Sequence, residues 1–242
     1  MKYQIYSAIF IFTFASAVMA EKQQTTFITE AAYLQSQSEW QFTLDTRFQQ
    51  LHQPNVSKTA YSFAVEYGIT ENLQIELGTE RATTFDNIDE QETEHEWELE
   101  FAYNLVEQSG YRPHLSVSAG FSRDENTHYS AALLMSYELH HRHFIHANIG
   151  FEHCKNTVDS HENSTILALT YAFKLQEDIT LLTEYTQEHP ANDKANVSFY
   201  SQTSIGLIYE LENDLVLGFA YGVFDPKDDL NSELTVKVSY EF

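Results

Sequence analysis

The last eleven residues, Ser232-Glu-Leu-Thr-Val-Lys-Val-Ser-Tyr-Glu-Phe242, alternate without a break. Leu234, Val236, Val238, Tyr240 and Phe242 fall on one face, and Glu233, Thr235, Lys237, Ser239 and Glu241 on the other. A side-chain period of two marks a β-strand with one apolar and one polar face. The strand closes on a Tyr-x-apolar triplet, Tyr240-Glu241-Phe242. The same triplet closes earlier strands at Tyr67-Gly68-Ile69, Tyr103-Asn104-Leu105, Tyr137-Glu138-Leu139, Tyr171-Ala172-Phe173 and Tyr209-Glu210-Leu211. These tyrosines are spaced by 36, 34, 34, 38 and 31 residues. Each interval holds one β-hairpin with one long and one short connection. Six hairpins predict a closed antiparallel transmembrane β-barrel of twelve strands, with ten or fourteen as the alternatives.

Working back from that strand, the same alternation recurs. Trp40, Phe42, Leu44, Thr46 and Phe48 share the apolar face of a first strand over Ser38–Gln49. Trp97, Leu99, Phe101, Tyr103 and Leu105 share that of the fourth, and Leu133 lies on that of the sixth. Polar loops are expected at Thr83–Thr93, Lys155–Asn163 and Glu188–Asn196, with the tenth strand starting at Phe199. The ninth strand is the least clean, because Leu182 falls on its polar face. Long and short connections alternate, which in outer-membrane barrels places short turns in the periplasm and long loops outside. Tyr67, Tyr103, Tyr137, Tyr171, Tyr209 and Tyr240 then form a periplasmic girdle, where an aromatic ring meets lipid and a hydroxyl meets water. A soluble β-sandwich also alternates, but it has no reason to repeat a tyrosine at one height six times. A lipid-embedded sheet must close, because an open edge leaves backbone amides unpaired in hydrocarbon.

The N-terminus reads as an export signal, residues 1–20. Lys2 precedes the apolar stretch Ile5–Val18, and Val18-Met19-Ala20 suits cleavage. That run is shorter than the roughly 20 residues a helical span requires. Residues 21–35 are polar and are expected in the periplasm or inserted in the lumen, and residues 36–242 form the barrel. The destination is the bacterial outer membrane, after export through the periplasm.

The formal net charge of −23 excludes nucleic-acid binding, which needs a basic face. High charge with low hydrophobicity can signal disorder, but 14% aromatic residues and clean alternation argue against it. The single cysteine, Cys154, excludes an intramolecular disulfide.

Several features imply relatedness. The export signal, the hairpin repeat and the terminal phenylalanine resemble those of bacterial outer-membrane β-barrels in general. In that group a C-terminal aromatic strand is the recognition signal for the barrel-insertion machinery, so the resemblance gives Tyr240 and Phe242 an assembly role. The turns Tyr67-Gly-Ile-Thr-Glu-Asn-Leu73 and Tyr209-Glu-Leu-Glu-Asn-Asp-Leu215, with the ending Phe219–Phe242, resemble the transporter family labelled "MetA-pathway of phenol degradation". That resemblance spans the chain from residue 21 on but rests on strand ends and turns. It implies uptake of small compounds, aromatic ones among them.

The sharpest chemical feature is the ladder Glu94, Glu96, Glu98 and Glu100, which alternation puts on the lumen side of one strand. Glu66 and Glu76 join it from neighbouring strands. Basic partners facing the lumen are few: Arg47, Lys174 and Lys237. An acidic passage favours cations and disfavours anions. The expected function is a passive channel or uptake transporter for small cationic or neutral solutes. The alternative is a closed barrel with a structural or surface-interaction role, and a membrane lipid hydrolase is the third. Partners are then outer-membrane lipid, the insertion machinery and an unidentified small solute. No cofactor is expected. His140, His141 and His143 lack the converging fourth ligand of a structural metal site. His128 and Ser130 share the lumen side of the sixth strand, away from lipid, so no catalytic residues are assigned.

Overall fold

The computed structural model describes residues 30–53, 56–85, 91–124, 126–155, 161–190, 200–211, 214–225 and 230–242. The export segment, residues 21–29 and Phe199 lie outside the described residues.

Twelve strands follow one another: β1 (Trp40–Leu51), β2 (Ser57–Thr70), β3 (Leu73–Phe85), β4 (Gln91–Val106), β5 (His114–Arg123), β6 (Thr127–His140), β7 (His143–Lys155), β8 (His161–Lys174), β9 (Ile179–Pro190), β10 (Tyr200–Glu210), β11 (Leu215–Phe224) and β12 (Leu230–Glu241). Each pairs antiparallel with its neighbours in sequence, and β1 pairs with β12 to close the barrel. The seam keeps one register from Gln41 to Gln50, with Leu44 opposite Val238 and Phe48 opposite Leu234, and shifts at Leu51. At its end Trp40 N–H donates to the Phe242 carbonyl and Phe242 N–H to the Trp40 carbonyl, each at 2.9 Å. Closure therefore leaves no sheet edge, the condition for a strand assembly to survive in lipid.

The alternation sorts side chains as the sequence predicts. Trp97, Phe101 and Leu133 stand exposed on the outer surface, while Ser116 and Ser136 are completely buried inside. Rings pack on the outer face on both sides of β1: Trp40 on Tyr67 of β2 at 4.4 Å and Phe42 on Phe242 across the seam at 5.2 Å between centroids. All six triplet tyrosines face outward at the short-turn end, where Tyr67 opposes Ile75, Tyr137 opposes Ile145 and Tyr209 opposes Leu217.

Strand limits differ from the sequence reading in an instructive way. β1 starts at Trp40, because Ser38 takes a left-handed conformation (φ 71°) that breaks the extended chain. The acidic stretch expected as a loop at Thr83–Thr93 is largely strand, with Thr83 opposite Thr93 and Thr84 opposite Glu92. Likewise β8 begins at His161 opposite Lys155, and β9 runs on to Pro190 opposite Ser164. Hairpin pairing satisfies backbone groups whatever the polarity of the side chains, so composition alone set these ends too early.

Candidate functional site

The candidate site is the lumen, and strand register decides what faces what inside it. On the inner face Glu66 opposes Glu76, and Glu76 opposes Glu100, so three carboxylates stand in a row across β2, β3 and β4. Four residues along β3, Glu80 opposes Glu96, with Gly78 opposite Glu98 between them. Like charges directly opposite in a sheet repel. The chain offsets part of this. Arg47 Nη2 is bonded to Glu80. The side-chain amides of Gln41 and Gln74 donate to Glu66 at 3.0 and 2.8 Å. Among the described residues, however, the Glu76, Glu96 and Glu98 carboxylates have no hydrogen bond or ion pair. The sequence-predicted set thus comes together for Glu66, Glu76, Glu96, Glu98, Glu100 and Arg47.

Lys237, which opposes Asp45 across the seam, joins Arg47, Glu76, Glu96 and Glu98 on the wall of one cavity, and the remaining predicted residues sit apart. Glu94 is at the upper rim, largely exposed, with Lys58 Nζ at 2.8 Å. Lys174 lies at the short-turn end, its Nζ 5.7 Å from the centre of the Phe144 ring. Glu184, which the sequence reading passed over, is buried and held by the hydroxyls of Thr170 and Ser204 at 3.1 and 3.3 Å.

The lumen is occupied at its short-turn end. Ala32 N–H donates to Ser136 Oγ at 2.8 Å, and Ser116 Oγ donates to the Ala32 carbonyl at 2.6 Å. Ser136 Oγ also touches His146 Nδ1 at 2.8 Å. The Tyr33 ring meets His114 edge-on at 4.9 Å. Gln35 N–H donates to Gln74 Oε1 at 2.7 Å. Residues 30–36 therefore cross from the β1–β3 wall to β5 and β6, inside the barrel. The remaining wall supplies its own filling: Phe144, Ala172, Leu182 and Ile208 form an apolar cluster, with Val216 packed against it. Leu182 is fully buried there. This is the physical reason for the apolar residue that spoils the alternation of β9.

Toward the opposite end two cavities remain, of about 400 and 550 Å³, and Glu98, Gln202 and Phe224 line both. Glycines keep this space open: Gly78 and Gly120 face Glu98 with no side chain of their own.

Among the described residues no three histidine, cysteine or carboxylate side chains gather as a metal site. In the His140–His143 turn, His141 Nδ1 is 3.2 Å from Glu138 and His143 Nδ1 is 2.7 Å from the Tyr171 hydroxyl. His128 directs Nδ1 to Glu152 at 2.7 Å, with Nε2 3.8 Å from Cys154 Sγ.

A closed twelve-stranded barrel with an apolar outside and a charged interior agrees with the family comparison. Residues 7–242 match the outer membrane protein β-barrel domain. The chain belongs to that family. No curated protein sequence matches it. Among solved structures it is similar to an outer membrane channel from Pseudomonas putida F1, at 7% identity and a TM-score of 0.69, covering 91% of this chain and 100% of that one. It is also similar to the NanC porin, at 13% identity and a TM-score of 0.59, covering 81% of this chain and 97% of that one. The KdgM porin in complex with disordered oligogalacturonate matches at 12% identity and a TM-score of 0.59, covering 83% and 99%. At these identities the likeness establishes the fold. The barrel is an outer-membrane protein, and its structural neighbours include porins and channels.

Proposed function

We propose that this barrel is an outer-membrane channel that takes up small cationic or neutral solutes. The observation that carries the reading is that Glu76, Glu96 and Glu98 project into the lumen and none of their carboxylates forms an ion pair among the described residues. Such a wall attracts cations and repels anions. The porin and channel neighbours support the same class of activity. The resemblance to the phenol-degradation transporter family adds small aromatic compounds as solutes to try. In this reading residues 1–20 direct export, lipid surrounds the outer face, and the short-turn end faces the periplasm. Solute then enters from outside and leaves past residues 30–36. Purified protein in a planar bilayer under a KCl gradient should show discrete steps with a cation-selective reversal potential. Glu96→Lys combined with Glu98→Lys should move that potential toward anions. Silent bilayers, or an unchanged potential, count against the channel.

The crossing of the lumen by residues 30–36 favours a second reading, a closed barrel with a surface role. A barrel that stays silent even after those residues are deleted would favour it.

A further inference from the structure

We infer that the outer surface of the barrel carries a binding site for an anionic, phosphorylated lipid headgroup, formed by Arg81, Arg123 and Lys155 at the long-loop end of β3 to β7. Charge in this chain is sorted by face. Among the described residues of the twelve strands, every aspartate and glutamate takes an inward position. Seven lysines and arginines lie in the same strands. Arg47, Lys58, Lys174 and Lys237 point inward, the first two onto the carboxylates of Glu80 and Glu94. The other three are Arg81, Arg123 and Lys155, all outward, all exposed and all near the long-loop end of their strands. Among the described residues none of these three has an ion pair. In a chain of net charge −23 they make a patch of the opposite sign, with no strand carboxylate on the same face to neutralise it.

Register brings the three together. Arg123 opposes Trp97 on one side and Thr127 on the other, and Thr127 opposes Lys155. One strand therefore separates Arg123 from Lys155, a span of about 10 Å at the usual spacing, which two long side chains close from either side. Arg81 opposes His95, two residues beyond Trp97 on β4. Immediately below, on the same outer face, Trp97, Phe121 and Tyr129 pack ring on ring at 5.1 and 5.5 Å. Each ring lies two residues nearer mid-strand than His95, Arg123 or Thr127. Rings of this kind settle at the boundary between hydrocarbon and water. Cations on their loop side then stand at headgroup depth, where a long side chain keeps its stem on apolar surface and its charge in water. With the long loops outside, that depth belongs to the outer leaflet. The arginine fork matches the oxygens of a phosphate two at a time, and basic side chains at a membrane surface draw anionic headgroups. The site serves whether or not the barrel conducts, so it stands apart from the uptake reading.

Quenching of tryptophan fluorescence by brominated lipids tests it, because the chain has only two tryptophans, Trp97 beside the patch and Trp40 at the short-turn end. The Trp40→Phe barrel, folded into phosphatidylcholine vesicles, reports the lipid at Trp97 alone. Brominated phosphatidic acid, whose headgroup is a bare phosphomonoester, should occupy that position roughly fivefold more readily than brominated phosphatidylcholine. Arg123→Gln combined with Lys155→Gln should bring the preference to about twofold or less, with Arg123→Gln alone in between. Arg112→Gln, exposed at the short-turn end, should leave it unchanged. In the reciprocal Trp97→Phe barrel, quenching of Trp40 should not respond to the double substitution, and heat-modifiable gel migration confirms that each variant is folded. No preference at Trp97, or a preference that survives the substitutions, would overturn the proposal. So would an equal preference for brominated phosphatidylserine, which would mean attraction to charge alone. Displacement by inorganic phosphate at constant ionic strength would overturn it too, by making the patch a site for the free anion.

Discussion

Gly68 lies against the carbonyl of Ser36 so closely that a Cβ on residue 68 would stand 1.9 Å from that oxygen. The contact is backed by the main chain. Ser38 N–H donates to the Gly68 carbonyl at 2.8 Å, and Gly68 N–H to the Glu39 carbonyl at 3.1 Å. The path of the N-terminal segment into the lumen therefore depends on a bare backbone at this one position of β2. Gly68→Ala should expel residues 30–36, because the obstructing atoms are backbone and cannot swing aside. The expected outcome is a higher single-channel conductance than wild type, matched by a variant lacking residues 30–36. Conductance equal to wild type in both would mean that the segment does not limit passage.

The segment's far end gives an independent handle. Ser136 Oγ accepts the Ala32 N–H while touching His146, and Ser116 Oγ donates to the carbonyl of the same residue. Hydrogen bonds of this kind contribute about 0.5–1.5 kcal/mol net each. Ser116→Ala with Ser136→Ala should loosen the segment without moving β5 or β6. A cysteine-free background with Ala32→Cys would read this as faster maleimide labelling from the short-turn side. Unchanged labelling would show that the Tyr33 and Gln35 contacts hold the segment alone.

The barrel was legible in the sequence and the filling of its lumen was not, for a physical reason. Alternation is local, so Ser232–Phe242 declares its two faces without reference to the rest of the chain. The same alternation puts Glu76 and Glu100 on one face, while which carboxylate stands opposite which emerges only from the register of the folded barrel. Ala32 meets Ser116 and Ser136 only after the barrel closes, at sequence separations of 84 and 104 residues. No pattern in residues 21–35 encodes those partners. Leu182 on a polar face was the visible signal, a break in the alternation that other strands keep.

Leu182 tests the internal cluster. It is fully buried among Phe144, Ala172 and Ile208, inside the barrel and not against lipid. Leu182→Ala should cost about 2–4 kcal/mol of stability through lost burial and the space left behind. Leu207, on the lipid face of β10 and partly exposed, should lose less when truncated, since lipid chains can fill the gap. Urea unfolding from lipid vesicles compares the two, and equal losses would contradict the interior cluster.

Face assignment is tested by charge. Leu133 is exposed on the outer surface of β6. Arginine there, near mid-membrane, should cost about 2–4 kcal/mol. Ser136, three residues on, faces the lumen but is completely buried and bonded to Ala32 and His146, so it is unsuitable as the tolerant control. Ser62, which lines the larger cavity, has room for the side chain and carboxylates nearby. Ser62→Arg should cost much less than Leu133→Arg in the same vesicle assay, and the reverse order would invert the inside and outside of the barrel.

Phe242 closes the seam, and one variant tests whether it also has the assembly role that the resemblance implies. Its backbone closes the seam with Trp40 in both directions, and its ring stacks on Phe42 and Tyr240 at 5.2 and 5.9 Å. Phe242→Ala keeps the backbone bonds and removes the aromatic terminus. If the terminal strand is read by the insertion machinery, assembly in cells should fall severalfold. Refolding from urea into pure lipid vesicles should change far less, because the seam pairing of Phe42 with Tyr240 and Leu44 with Val238 persists. The comparison is made on folded-band intensity with and without the machinery. Parallel losses in both would make Phe242 a structural residue of the seam and remove its assembly role. A loss confined to cells would keep it.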